Sequence, residues 1–323
     1  MGGLVGQRPS RLPWPDVSER REVLASDLPA DLVARLSTRE PEAGVSGADW
    51  LRTLPTLASE LLAQWGLTWD GRAWSGQTAI VLPVRRRGED LALKVAWPHV
   101  EGLAEHIGLR RWDGNGIVRL VAADPGRGAL LLERLDPEQT LDTLWDEQAC
   151  EIAGGLLQRL HVAPPVNVPR LADHVARNHE RLRTTPGALP PRQVDRAIAL
   201  GRDLSGDESA ESVLMHGDLH FLNVLAAHRD PWLAIDPRPM AGHPGAEVLP
   251  LLRNRVEEMG TGSSFRYCVR RRLEVVCDVA GIDEREARLW TIVMASLDAL
   301  WAHEDGDREG VSLAVALMKA LDG

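Results

Sequence analysis

The sequence predicts an α+β chain in two lobes, a small β-rich lobe followed by a larger, mostly helical one. Three observations carry this. At 323 residues the chain exceeds one compact core of ordinary size. Hydrophobic spacing turns from helical to alternating near residue 77, and from Leu141 onward the helical period dominates. The expected division is a loose arm over 1–27, an N-terminal lobe with leading helices over 28–135, and a helical lobe over 136–323.

Each element has its own signal. Residues 1–27 are rich in Pro, Arg and Gly. "ADLVARL" and "WLRTLPTLASELLAQWGL" place apolar residues three and four apart, as amphipathic helices do. "TAIVLPVRRRGEDLALKVAWP" reads as two strands joined by the turn "RRRGED", with Pro83 marking an edge or bulged strand. "VEGLAEHIGLRRW" follows as a helix, then "GIVRLVAAD" and "GALLLERL" as strands about the turn "PGRG". "LDTLWDEQACEIAGGLLQRLH" carries Leu141, Leu144, Trp145, Ala149, Ile152, Leu156 and Leu160 on one stripe. Of eleven tryptophans, Trp97, Trp145 and Trp290 fall at core-like positions. No repeat or low-complexity tract is present.

Composition narrows the functional classes. A hydrophobic share of 44% with 26% charged residues describes a folded globular chain. No apolar run reaches the roughly 20 residues of a membrane span, and the first residues lack a signal-peptide core and a myristoylation pattern. Cys150, Cys268 and Cys277 form no CxxC pair, which fits a reducing, cytoplasmic setting. A net charge of -10 argues against nucleic acid and leaves room for a cationic partner.

The chemistry centres on "VLMHGDLHFLNVL", residues 213–225, where two histidines, Asp218 and Asn223 interrupt an apolar run. Asp236 closes a second apolar run, "WLAI". Phosphoryl transfer from a nucleotide needs such a layout: a base for the attacking hydroxyl, and hard oxygen ligands for Mg²⁺. Asp218 suits the base; the Asn223 amide oxygen and the Asp236 carboxylate suit the metal. A hairpin between Asn223 and Asp236 would bring the two ligands together.

A second cluster fits the same chemistry. In "LALKVAW", Lys94 stands alone among apolar residues on a strand, placed to hold nucleotide phosphates or simply to extend from a strand edge. A helix acid should pair with it. Glu105 lies nearer the middle of the helix, and Glu101 is the alternative, a first-turn acid. In "WSGQTAIVLPV", Gly76 allows close backbone approach and Thr78 a hydroxyl contact to phosphate, though a plain turn serves the sequence equally.

These stretches together resemble the aminoglycoside phosphotransferase-like kinases, in the streptomycin 6-phosphotransferase and hydroxyurea phosphotransferase branch. "HGDLHFLNVL" with "LAIDP" carries the likeness, supported by "LALKVAWP", "LRRWDGNGIVRLVAAD", "LLLERL" and "DPRPMAGHPGAEVLPLLRNR". The resemblance runs from about residue 28 to the C-terminus. It implies a two-lobed protein-kinase-like fold and transfer from ATP or GTP, with Mg²⁺, to a small-molecule hydroxyl. By position it makes Asp218 the base, Asn223 and Asp236 metal ligands, Lys94 the phosphate ligand and Glu105 its partner. It also makes Glu133 to Leu135 the hinge beside the adenine. Glu247 stands where relatives carry an aspartate that orients the catalytic segment, with an effect on substrate contacts.

The acceptor is less defined. Gly217, Pro237 after Asp236 and the lack of an A-P-E segment disfavour a protein kinase. A polycationic aminocyclitol such as streptomycin calls for carboxylates, and Trp301, Glu304 and Asp305 of "WAHEDG" are candidates beside Glu247. Hydroxyurea or another small hydroxylated metabolite is the alternative. A nucleotide-binding pseudokinase acting by interaction is a third, and the presence of all four site residues disfavours it.

Overall fold

The computed structural model describes residues 22–322, so most of the expected loose arm lies outside the described residues. Of that stretch, Ala25–Asp27 forms a 3-10 turn and Val23 is buried against the N-terminal core. The N-terminal lobe contains helices α1 (Ala30–Leu36) and α2 (Gly47–Gln64), strands β1 (Thr68–Trp69), β2 (Trp74–Ser75), β3 (Ala79–Arg86) and β4 (Glu89–Ala96), helix α3 (Glu105–Trp112), and strands β5 (Leu120–Asp124) and β6 (Ala129–Glu133). There follow β7 (Asp136–Thr140), α4 (Asp146–Leu160), α5 (Leu171–Thr184), α6 (Pro191–Ser205), and short strands β8 (Val213–Met215), β9 (Val224–Ala226), β10 (Trp232–Ala234) and β11 (Met240–Gly242). Helices α7 (Leu249–Leu252), α8 (Ser263–Ala280), α9 (Glu284–Glu304) and α10 (Arg308–Ala320) complete the chain. No helix among the described residues is long and apolar enough to cross a membrane.

The main sheet is antiparallel in the order β1-β3-β4-β6-β5, with β2 also pairing β3. The β3–β4 turn falls at Arg87 and Gly88, both with positive φ, the backbone a tight hairpin requires. Strand alternation then sorts the side chains. Ile80, Leu82, Val84, Leu91, Leu93 and Val95 face α1 and α2, where they bury Leu32, Leu36, Leu54 and Leu61. Each such burial is worth about 1.5–3 kcal/mol, enough to hold α1, which is too short to be stable alone. Lys94 has the opposite parity and turns to the other face, toward α3.

Two expectations change. Pro83 lies within β3, which is neither an edge strand nor bulged: its pairing with β4 runs unbroken from Ala79 to Arg86. β1 pairs only Val84 and Arg85 and β2 only Ile80 and Val81, so Pro83 faces the gap between them. Its carbonyl accepts from Asp70 N–H at 2.8 Å, and the missing N–H faces that same gap, so no β4 bond is lost. Trp145 is not core but 86% exposed, whereas Trp97 and Trp290 are buried. Leu141–Thr143 forms a separate 3-10 turn and α4 begins only at Asp146, leaving Trp145 outside the apolar stripe at an extended cap position.

In the helical lobe α4, α8, α9 and α10 pack about one core with the inner face of α3. Helix starts match their caps: Asp283 accepts from Glu286 N–H, and Asp307 from Glu309 and Gly310 N–H. At Gly108 a Cβ would come within 2.4 Å of Pro239, so glycine lets α3 lie against the segment that follows Asp236.

Candidate active site

Lys94 is 8% exposed, and its Nζ lies 2.7 and 2.8 Å from the two Glu105 oxygens and 2.5 Å from Asp236 Oδ1. β4 supplies the lysine, α3 the glutamate and the turn after β10 the aspartate, so one cation ties three elements together. Burial works against the charged lysine, but the two carboxylates outweigh it and hold its pKa above the ordinary value. The Lys94 charge draws Asp236 down to about 2. Glu105 is pushed up to about 7, by burial first and opposed by Lys94. Glu101, the alternative partner, lies in the 3-10 turn before α3.

The β9–β10 hairpin does what its sequence position requires. Val224 pairs with Ala234, and Ile235 N–H donates to Asn223 O at 2.9 Å, which places Asn223 and Asp236 side by side in the chain path. Asn223 Nδ2 donates to the Asp218 carbonyl at 2.9 Å, fixing the amide so that its oxygen is left as an acceptor. Asp236 has φ 56, a left-handed conformation rare for a non-glycine residue and common at functional sites. An amide oxygen and a carboxylate from adjacent segments are a donor set suited to Mg²⁺, which completes its shell with phosphate oxygens and water.

The loop from His216 to Asn223 is braced from below. Gly217 has φ 80, and a Cβ there would sit 2.3 Å from the Arg238 carbonyl, so no other residue fits. His216 is fully buried and its pKa is pushed down to about 3 by burial, leaving it neutral. Nε2–H donates to Ile235 O at 3.0 Å while Nδ1 accepts from Asp218 N–H at 3.3 Å, so both ring nitrogens serve structure. Glu247 accepts from His216 N–H at 2.8 Å and from Gly217 N–H at 2.7 Å. At 1% exposure its carboxylate turns into the loop and away from solvent, so it braces the loop and does not reach a substrate as the sequence reading had it. Burial, opposed by those two N–H groups, pushes Glu247 up to about 7. Phe221 N–H donates to Asn254 Oδ1 at 2.9 Å, and the Arg255 and Arg272 guanidinium groups lie over the Phe221 ring.

Two adjoining cavities open here. One, of about 660 Å³, is lined by Gln77, Thr78, Lys94, Glu105, Asp236, Trp301, Glu304 and Asp305 among others. The second, of about 390 Å³, is lined by Gly217, Asp218, His220, Met215, Met240, Met294 and Trp301, and by Arg177, Arg238 and Arg253. Asp218 is largely buried, with Arg238 at 3.2 Å and Arg253 at 3.9 Å. Burial raises its pKa and Arg238 opposes that rise. Glu304 is already paired with Arg181, while Trp301 lies edge-on to His174 at 5.7 Å.

The remaining candidates lie elsewhere. Gly76 is spent in its turn: its N–H donates to Ala79 O at 2.8 Å and its carbonyl accepts from Arg35 at 2.8 Å, so it presents no free N–H to a phosphate. Thr78 does border the larger cavity. Glu133 and Leu135 border a separate cavity of about 410 Å³, and the Glu133 carboxylate accepts from Arg229 and from Arg119 N–H. Arg238, Arg253 and Asn254 join the site without having been among the residues predicted from the sequence. Their signal was available in "DPRP" and "LLRNR", where arginines closely follow Asp236 and Glu247.

This arrangement has counterparts. Residues 64–306 match the family model described as aminoglycoside/hydroxyurea antibiotic resistance kinase. Streptomycin 6-kinase from Streptomyces glaucescens is 38% identical over 288 residues, covering 87% of this chain and 93% of that protein. Hydroxyurea phosphotransferase from Kitasatospora aureofaciens is 37% identical over 313 residues, covering 94% of this chain and 88% of that protein. Among solved structures, a choline/ethanolamine kinase family protein from Mesorhizobium loti aligns with TM-score 0.56 at 17% identity, covering 82% of this chain and 94% of that one. The fold is therefore the two-lobed kinase-like one, and the chain belongs to the aminoglycoside/hydroxyurea antibiotic resistance kinase family.

Proposed function

We propose that this protein transfers the terminal phosphoryl group of a nucleoside triphosphate, ATP or GTP, to a hydroxyl of a small antibiotic, inactivating it. The observation that carries the reading is that Lys94 and Asp236 line one cavity and Asp218 the one adjoining it, with Asn223 tied to the Asp218 carbonyl just behind them. Asp218 accepts the hydroxyl proton; Arg238 beside it favours the ionised form that burial opposes. Lys94 holds nucleotide phosphates, and Glu105 holds Lys94. Mg²⁺, held by Asn223 and Asp236, would neutralise charge on the phosphates. Glu247 and His216 keep the loop in register. Gln77 and Thr78 line the nucleotide side from the small lobe.

Streptomycin or a related aminocyclitol is the first acceptor to consider, because the larger cavity carries Asp305, Glu304 and Trp301 at its rim. A compact uncharged acceptor such as hydroxyurea is the second. It is supported by the smaller cavity, where Asp218 is the one lining carboxylate against Arg177, Arg238 and Arg253. The free, buried thiols of Cys150 and Cys277, pushed up to about 12 by burial, are consistent with work in a reducing compartment. Release of ADP in the presence of Mg²⁺, measured across aminoglycosides, hydroxyurea and simple polyols, tests the proposal. The proposal requires acceptor-dependent release with at least one antibiotic; release that ignores every acceptor would overturn it.

A further inference from the structure

The face of α5 toward the cavities carries a cation that the chemistry above leaves unused. Leu171, Val175, Asn178, His179 and Leu182 turn α5 onto the core, and His174, Arg177 and Arg181 follow one another along its flank. Two of these three are fixed. His174 meets the Trp301 ring, and Arg181 is held by Glu304 and by Asn178 Oδ1 at 2.7 Å. Arg177 between them is exposed and makes no hydrogen bond or ion pair with any described residue. It is also one of two arginines, with Arg238, that line both cavities.

Arg39, also without a side-chain partner among the described residues, lines only the larger cavity, and the other cations nearby are engaged. Lys94 lies between Glu105 and Asp236, Arg238 lies on Asp218, and Arg253 lies 2.7 Å from Asp298. Phosphoryl transfer nevertheless spreads negative charge over three equatorial oxygens at the junction between nucleotide and acceptor. A planar guanidinium can bind two of those oxygens at once. An arginine that is unpaired in the free protein gives up no ion pair when it takes that place.

We propose that Arg177 is a catalytic residue, supplied by the chain itself, that closes onto the transferring phosphoryl group. The inference rests on the phosphotransferase reading of the site. In the step, the bond from the terminal phosphorus to the bridging oxygen breaks and its electron pair leaves with the nucleoside diphosphate. The acceptor oxygen bonds to phosphorus, and its proton passes to Asp218. Arg177 donates to the equatorial oxygens while this occurs.

The test uses the full chain with an acceptor that the unaltered protein phosphorylates. Arg177→Ala should lower kcat by about 10²–10³ with nucleotide affinity unchanged. Binding of ADP, Mg²⁺, tetrafluoroaluminate and acceptor, which mimics the transition state, should weaken by a similar factor. Guanidinium ion should restore part of the Arg177→Ala rate, and Arg177→Lys should be intermediate. An unchanged kcat overturns the proposal, as does a rise confined to the acceptor KM, which would make Arg177 an acceptor contact. If the unaltered protein phosphorylates nothing while binding nucleotide, the phosphotransferase reading falls before any variant is compared, and this proposal falls with it.

Discussion

Glu247 accepts the backbone N–H of Gly217 at 2.7 Å, from a position thirty residues further along the chain and almost fully buried. Its other oxygen takes His216 N–H, so one side chain holds two consecutive peptide groups ahead of Asp218. The loop that carries the proposed base is thus fixed from behind, by a carboxylate that is not itself exposed to substrate.

Replacing Glu247 with Gln tests that brace. The amide offers one acceptor oxygen to two N–H donors and turns its own NH₂ toward one of them. The unpaired group should cost about 1–3 kcal/mol of stability. Urea unfolding should show this loss, together with a fall in kcat larger than any change in nucleotide affinity. Glu247→Asp keeps the charge and should recover part of both.

The buried pair of Lys94 and Glu105 gives a pH-dependent prediction. Breaking such a pair by removing one partner costs about 3–5 kcal/mol. Glu105 is an acid whose pKa in the fold, about 7, lies above its ordinary 4.5. The folded state therefore holds the extra proton between those values, and stability from this group falls as pH rises through the window. Lys94→Met removes the charge that pulls Glu105 down, so its penalty should be larger at pH 8 than at pH 6. Equal penalties at both pH values, by urea unfolding, would contradict a charged Glu105 in the unaltered protein.

Asp236→Ala removes the carboxylate of the proposed metal pair and one partner of Lys94. Calorimetry should find the Mg²⁺ dependence of ATP binding lost, while metal-free nucleotide still binds. Mg²⁺-dependent affinity equal to that of the unaltered protein would leave Asp236 with only its turn.

At the rim, Glu304 is neutralised by Arg181, whereas the Asp305 carboxylate has no partner among the described residues. If the acceptor is polycationic, Asp305→Asn should raise its KM more than Glu304→Gln does. The KM should also rise with ionic strength, since exposed charges are screened beyond about 8 Å at physiological salt. An uncharged acceptor would show neither effect.

The local elements and the way the candidate site residues come together were legible because they rest on short-range rules. Alternation placed Lys94 on the opposite face from Leu93 and Val95, and the hairpin joined Asn223 to Asp236. What the sequence hid depends on distant segments meeting. Nothing local says that Arg238 would lie on Asp218, or that Arg177 would stand unpaired between two cavities. Pro83 misled because only the gap between β1 and β2 makes it harmless inside the sheet. Trp145 misled because an apolar stripe does not reveal where a helix begins.

The account's central claim is that Asp218 accepts the proton of a small-molecule hydroxyl during transfer from a bound nucleotide. The most direct measurement is single-turnover transfer from isotopically labelled ATP by the unaltered protein and by Asp218→Asn, with the labelled product identified by phosphorus NMR. The account predicts label on a hydroxyl of the acceptor, and a rate lower by roughly 10²–10⁴ in the variant with nucleotide affinity retained. Near-equal rates for the two proteins, or label appearing only as inorganic phosphate, would contradict it.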